Sequence, residues 1–309
     1  MPEWLYEAGI GEARAALVDG DQIVEAAIER DEGLRVGTIL PARKTASDRA
    51  TLDDGTDLQL TTPTRGVTQG AMLTVEITRE AIPERGRTKA PRATPTHAAP
   101  RPAPTLLDRI TATGHPVRVC LAHQSDALEA AGWSELLDEA VSGDIVFSRG
   151  ALRLSPTPAM TLFDVDGDAP LDTLAIAAAH AVALAIRRHG IGGSIGIDFP
   201  TIVGKAPRLA VAQAIDETLS QPFERTAVNG FGFLQIVRPR PRLSIPEHLR
   251  ADPVAATALA ALRTLERTPP GTPRTLKLSP AVLAYFDARP TWLAELARRT
   301  GVTPRLESE

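Results

Sequence analysis

The sequence predicts a mixed α+β and α/β chain of several subdomains, and three observations carry that prediction. Short segments of alternating apolar and polar residues recur between Val36 and Ile82, with Asp53-Asp54-Gly55 and Gln69-Gly70 at their turns, the pattern of a small antiparallel barrel of the OB type. Residues 83–104 are rich in Pro and Ala, a composition that favours an extended linker over a packed element. Further on, two apolar strands that each end in acidic residues flank one helical stretch, residues 171–188; a strand, helix, strand order gives a parallel βαβ unit.

Taken in chain order, residues 12–29 read as two apolar strands turning at Asp19-Gly20-Asp21, a hairpin signal. The barrel segments are 36–40, 49–52, 57–60 and 72–77. An OB barrel that binds single-stranded nucleic acid stacks bases on aromatic side chains, but no Phe, Tyr or Trp occurs between Tyr6 and Trp133, so stacking by this module is not expected. The linker carries Arg85, Arg87, Lys89, Arg92 and Arg101 against the single acid Glu84, which makes phosphate contact its alternative role. A helix over 105–113, a strand over 117–121 and a helix over 126–140 follow. Strands at 144–147 and 151–154 lead into the first acidic end. The helix at 171–188 finishes on Arg187-Arg188 before Gly190, where cations suit the helix dipole. A helix over 206–219 stops at Gln221-Pro222, and residues 231–237 form a strand. Arg238-Pro239-Arg240-Pro241-Arg242 comes next; its prolines cannot donate ladder hydrogen bonds and hold the guanidinium groups extended. That segment reads either as a solvated edge that discourages aggregation or as a phosphate contact beside the acidic site. Helices are expected over 253–266 and within 279–300, with Trp292 as a packing anchor.

A chain of 309 residues, 43% hydrophobic and 23% charged, buries a core and divides into two or more units. No apolar run is long enough to span a bilayer, and Met1-Pro2-Glu3-Trp4-Leu5-Tyr6-Glu7 lacks the basic then apolar order of a signal peptide, so a cytoplasmic protein without a membrane partner is expected. Cys120 is the single cysteine; it excludes an intramolecular disulfide and a cysteine zinc cluster, and its apolar surroundings suggest an inert, buried strand residue. A net charge of −4 means that a polyanion is held by local basic patches or through a metal, not by a global field. The six histidines show no metal-ligand spacing and are expected at the surface or at caps.

The acidic ends are Phe163-Asp164-Val165-Asp166-Gly167-Asp168 and Ile195-Gly196-Ile197-Asp198-Phe199. Carboxylates at the ends of neighbouring parallel strands converge where open α/β sheets hold ligands, and they repel unless a proton or a cation neutralises them. A hard divalent ion, Mg²⁺ first and Mn²⁺ as a substitute, suits such an all-oxygen site. Two other chemistries fit the first motif less well. A calcium loop needs a bidentate Glu at its twelfth position, which is Ala175 here. A haloacid-dehalogenase-type phosphatase would use Asp164 as nucleophile and Asp166 as acid, but Asp168 replaces the expected Thr or Val, and no paired acidic motif follows a suitable later strand.

Four landmarks together resemble the ribonuclease E/G family. Asp164-Val165-Asp166 stands where that family has an Asp-x-Asn strand end. Gly192-Gly193-Ser194-Ile195-Gly196-Ile197-Asp198-Phe199 is similar to its Gly-Gly-hydrophobic-Ile-Asp-Phe strand. Phe231-Gly232-Phe233-Leu234-Gln235-Ile236, with Arg238 and Arg240 behind it, looks like its Phe-Gly-Leu-Leu-Glu-Met strand and basic tail. Ala15-Ala16-Leu17-Val18-Asp19-Gly20 is similar to its opening strand and turn. The resemblance implies an RNase-H-like subdomain from 1–33 and 105–150, an OB-type barrel at 34–82, the linker at 83–104, a DNase-I-like catalytic subdomain at 151–245 and a helical region at 246–309. It implies Mg²⁺-dependent endoribonuclease action on single-stranded RNA, leaving 5′-phosphate and 3′-hydroxyl ends. Asp164 and Asp198 would be metal ligands, Asp166 a third catalytic carboxylate, and Arg238, Arg240 and Arg242 RNA contacts. The chain departs from the pattern in four ways: Asp166 replaces the family Asn, the usual basic residue shortly after it is lost, the Cys-x-x-Cys zinc link is missing, and the domain that senses RNA 5′-ends has no counterpart. A monomer or dimer without structural zinc is therefore expected, and the alternative function is an RNA-binding or regulatory homologue with little catalysis.

Overall fold

A computed structural model describes residues 1–64, 66–84 and 86–309; Arg85, one of the linker cations, lies outside the described residues. The chain divides into two units, the first made of Met1–Glu32, Leu106–Leu137 and Ile245–Glu309, the second of Gly33–Thr105 and Asp138–Ser244.

The first unit opens with β1 (Glu3–Ala8), β2 (Glu12–Asp19) and β3 (Gln22–Arg30). Asp19 pairs with Gln22, so Gly20-Asp21 forms the two-residue hairpin turn that the sequence predicts. The second unit then begins with β4 (Ile39–Ala46), β5 (Arg49–Thr51), β6 (Asp57–Leu60) and β7 (Met72–Arg79), followed by β8 (Ile82–Glu84), β9 (Arg87–Lys89) and β10 (Arg92–Pro95). Five of these strands close into a barrel in the order β10-β6-β5-β4-β7, consistent with the OB type, around Ala42, Ala50, Leu58, Val75, Ile77 and Ala93.

The Pro/Ala-rich stretch differs from the expected linker. It contributes the β8–β9 hairpin and then β10, which pairs with both β6 and β7 and completes the barrel. Proline positions explain the difference: Pro91 precedes β10 and Pro95 ends it, so the prolines fall where a strand tolerates them, and composition alone does not register that placement.

Back in the first unit, α1 (Leu106–Thr111) leads to β11 (Val117–Val119), α2 (Ala127–Ala130) and the start of α3 (Trp133–Ser142), whose residues from Asp138 on belong to the second unit. The single helix expected over 126–140 is thus two helices, parted at Ala131-Gly132. β11 joins β1 in parallel, giving a sheet of order β11-β1-β2-β3. Cys120 is buried just past β11, its amide bonded to the Tyr6 carbonyl at 2.7 Å, and burial pushes its thiol up from the ordinary value.

The second sheet is built from β12 (Asp144–Phe147), β13 (Gly150–Pro156), β14 (Thr161–Asp166), β15 (Gly193–Asp198), β16 (Glu224–Arg225) and β17 (Phe233–Arg238), with α4 (Leu171–Arg188) and α5 (Lys205–Thr218) between them. Its order is β12-β13-β14-β15-β17-β16. β14 and β15 run parallel with α4 as the crossover, as the sequence predicts. Phe163, Val165, Ile195, Ile197, Leu234 and Ile236 alternate onto one face and bury against Ala175, Ala178, Ala179 and Val182 of α4 and Val211 and Ile215 of α5. Both helices cover this face, so the alternating residues between, Asp164, Asp166 and Asp198, point to the other.

The rest of the first unit comprises α6 (Ile245–Ala251), α7 (Pro253–Arg267), β18 (Thr275–Leu278), α8 (Pro280–Asp287), α9 (Pro290–Thr300) and β19 (Arg305–Ser308). Asp252 caps α7, accepting from the Ala255 amide at 2.8 Å. Trp292 packs against this helical core, its ring 5.9 Å from that of Tyr285. The unit also holds a buried ionic network. Arg14 reaches Glu7 at 3.0 Å and Asp126 at 2.7 Å. Arg267 pairs with the same two carboxylates, and Glu12 pairs with Arg263 at 3.1 Å. His248 on α6 is buried and corrects the surface expectation; His189 is buried too, but as the C-cap of α4, one of the two placements expected. Among the described residues, no helix is long and apolar enough to cross a membrane.

Candidate functional site

The geometry of the second sheet places one residue from each of five strands in a row. Asp144 of β12 is the register partner of Arg153 on β13, Arg153 of Asp164 on β14, Asp164 of Asp198 on β15, and Asp198 of Phe233 on β17. Register partners on neighbouring strands share a face, at a strand spacing of about 4.8 Å. Asp164 and Asp198 are therefore side by side at the carboxyl ends of the parallel pair, and both are exposed. The sequence-predicted acid pair is brought together.

Asp166 lies one full pleat further along β14, paired with Ala151, beyond the point where β15 ends. Among the described residues no group of three or more His, Cys, Asp or Glu is placed to hold a metal ion, so the arrangement offers two carboxylates as neighbours, with Asp166 on the same face. Two carboxylates on an open face suit Mg²⁺, which commonly takes one or two and completes its shell with water and phosphate oxygens.

Arg153 is a site residue that the sequence reading did not single out. Its guanidinium lies 3.1 Å from Asp144 and is the cation in register with Asp164. Strand alternation carried the signal: Leu152 and Leu154 are buried, which sends Arg153 to the face of the acids. Arg149 is a second case, exposed at the Ser148-Arg149 turn between β12 and β13. A Cβ on Gly167 would come within 2.6 Å of the Arg149 carbonyl, so this turn abuts the end of the first acidic strand.

The arginines at and beyond the end of β17 stand elsewhere. Arg238 pairs with Gly193, at the opposite end of β15 from Asp198, which puts it roughly 17 Å along the strand from the acids. Arg240 lies against Gly192 and Gly193: a Cβ on Gly193 would sit 3.1 Å from the Arg240 Cδ, and one on Gly192 2.5 Å from the Pro239 carbonyl. The glycine pair is thus what lets this segment approach. Arg242 lies 3.8 Å from Glu80, and the Glu80 amide bonds the Pro241 carbonyl at 2.9 Å. The segment consequently runs toward the barrel, not beside the acid pair.

On the barrel, Arg49, Arg79, Arg87, Lys89 and Arg92 line a groove of about 370 Å³ in which Asp57 is the acidic residue. Burial lowers the Arg79 guanidinium below its ordinary value, the like charges of Arg92 and Arg240 lower it further and Glu84 acts against them, so Arg240 lies within electrostatic reach of the groove, where Glu84 pairs with Arg87 and Lys89. Three of these cations, Arg87, Lys89 and Arg92, belong to the stretch whose phosphate role the sequence raised as the alternative to a linker.

With this geometry in place, the comparisons with known proteins are specific but partial. No known protein-family model matches the chain. It is 34% identical over 114 residues to Ribonuclease G of Escherichia coli K12, covering 33% of this chain and 23% of that protein. The same figures hold for Ribonuclease G of Shigella flexneri, and identity is 32% over 114 residues to that of Salmonella typhimurium SL1344. The chain thus spans about a quarter of the length of the curated relatives that it matches. The similarity supports a distant relationship to the ribonuclease E/G family.

Proposed function

We propose that this protein is a metal-dependent endoribonuclease that hydrolyses single-stranded RNA. The observation that carries the proposal is the register pairing of Asp164 with Asp198 on an exposed sheet face, in a chain similar to Ribonuclease G. These two carboxylates would hold Mg²⁺, or Mn²⁺ in its place. When bound there, the ion supplies Lewis-acid polarisation of the scissile phosphate and favours deprotonation of the attacking water. Asp166 accepts a hydrogen bond from that water and orients it. Water attacks phosphorus, the bond from phosphorus to the 3′ oxygen breaks, and that oxygen takes a proton, leaving a 5′-phosphate and a 3′-hydroxyl.

The cations act at two distances. Arg153, in register with Asp164, reaches a phosphate at the site itself. Arg238, Arg240 and Arg242 hold phosphates several nucleotides away and extend the track to the barrel groove. Phosphate contacts of this kind fix register and affinity and carry no sequence information. The barrel residues that face this region are cations where an aromatic platform is absent, so binding there is electrostatic and salt-sensitive.

Purified protein incubated with an unstructured RNA in Mg²⁺ or EDTA, beside Asp198→Asn, tests the proposal. Cleavage is expected only for the wild type in Mg²⁺, with a loss on the order of 10³-fold in the variant. Cleavage that survives the substitution would remove the site. RNA that is bound and never cut by the wild type would favour the second reading, an RNA-binding homologue without catalysis, which the Asp at position 166 supports.

A further inference from the structure

Phe231 is 83% exposed, whereas the other six phenylalanines of the chain are buried or half-buried. An exposed aromatic of this size is uncommon unless something covers it in use. Its setting is rigid. The Phe231 and Phe233 amides both donate to Asn229 Oδ1, at 2.9 and 3.1 Å. The Phe199 amide donates to the Gly232 carbonyl at 3.2 Å. Gly232 has φ 94° and its backbone presses so close that a Cβ would sit 2.2 Å from the Phe199 carbonyl. The turn is therefore locked onto the residue that follows Asp198.

Neighbouring Phe233 serves a different purpose. A Cβ on Gly196 would meet the Phe233 Cζ at 2.6 Å, Leu162 at 2.8 Å and Met160 at 2.9 Å, so that ring is packed down over the sheet and leaves Phe231 as the ring presented to solvent. Arg208 completes the setting: its Nε donates to the Gly204 carbonyl at 2.9 Å, and its Nη1 would lie 3.8 Å from a Cβ on Gly230. An exposed aromatic ring on an anchored turn, two residues before the register partner of Asp198 and next to Gly230, which the Arg208 guanidinium approaches, matches a nucleobase and its phosphate.

We infer that Phe231 is a base-stacking platform that holds one nucleotide of single-stranded RNA next to the acid pair. The inference rests on the nuclease reading for its substrate class, and it supplies the aromatic contact that the barrel lacks. Stacking on a single ring tolerates every base, so Phe231 sets the position of the chain and not its sequence.

The test uses unstructured RNA carrying 2-aminopurine at successive positions, in EDTA so that binding is read without cleavage. Quenching at one position is expected on binding wild type and Phe231→Trp. It should disappear in Phe231→Ala, with affinity about tenfold lower. An abasic nucleotide at that position should weaken wild-type binding by a similar factor and leave Phe231→Ala unaffected. Unchanged quenching in Phe231→Ala, no RNA binding by the wild type, or a wild-type dimer that Phe231→Ala dissociates would each overturn the inference. Loss of cleavage in Mg²⁺ with quenching intact would count against the nuclease chemistry alone, and cleavage with unaltered quenching against the platform alone.

Discussion

Two groups of acidic residues, one in each unit, are placed in opposite ways. In the first, Glu7 and Glu12 are buried and Asp126 is half-buried, and all three are matched by Arg14, Arg30, Arg263 and Arg267. Burial pushes the Glu12 carboxyl up despite Arg263 and Arg30. Burial also acts to raise Asp126, but Arg14, the Glu129 amide and Arg267 outweigh it and hold that carboxyl low. In the second unit, Asp164 and Asp198 stand in water side by side, and the one guanidinium in register with them, Arg153, is engaged by Asp144. A carboxylate whose charge is answered inside the fold contributes to structure. A pair left exposed in register is available to a ligand, so placement separates the two roles where composition cannot.

The sharpest way to break that contrast is to remove one member from each group. Arg14→Met should cost roughly 3–5 kcal/mol in urea unfolding, because Glu7 and Asp126 keep only part of their countercharge. Asp164→Asn should change stability by less than about 0.5 kcal/mol while abolishing cleavage. A stability loss of comparable size in both variants would dissolve the distinction.

Acid should probe the first unit next. Burial, reinforced by Arg30, pushes the His248 imidazole from 6.5 down to about 4. Between those values the unfolded chain binds the extra proton, so this contribution is complete above pH 6.5 and is lost as pH falls toward 4. The whole span is worth roughly 3 kcal/mol, and His248→Gln should flatten the slope of unfolding free energy over that window.

Smaller effects belong to the second unit. Arg79→Ala and Arg92→Ala should each lower the salt dependence of RNA binding by about one unit of slope, uniformly across sequences. Arg153→Ala removes the cation that reaches a phosphate beside Asp164, and the KM for RNA cleavage should rise by about two- to fivefold, the modest size expected of an exposed charge. An unchanged KM with a lower Mg²⁺ requirement would show instead that Arg153 competes with the ion more than it holds the substrate.

Much of this was legible in the sequence for a stated reason. The β14-α4-β15 unit was readable because a long amphipathic helix between two apolar strands has few alternative folds, and with it came the acid pair. β10 was hidden because composition counts prolines without locating them at strand ends. Arg153 and the reversed position of Arg238 were hidden because both depend on strand register: which residues of β13 and β17 lie opposite Asp164 and Asp198 is settled by pairing between strands that are distant in sequence. The exposure of Phe231 was hidden for a related reason, since only packing decides which of two nearby phenylalanines covers the sheet.

The row from Asp144 to Phe233 takes a single residue from each of five adjacent strands. Its alignment is maintained by main-chain hydrogen bonds, and a slip of one residue in any strand would turn that strand's contribution to the opposite face. The layout of this row is therefore encoded in backbone bookkeeping and not in loop conformation, which leaves the connecting segments free to shorten, lengthen or diverge while the charges across the sheet keep their sequence of signs.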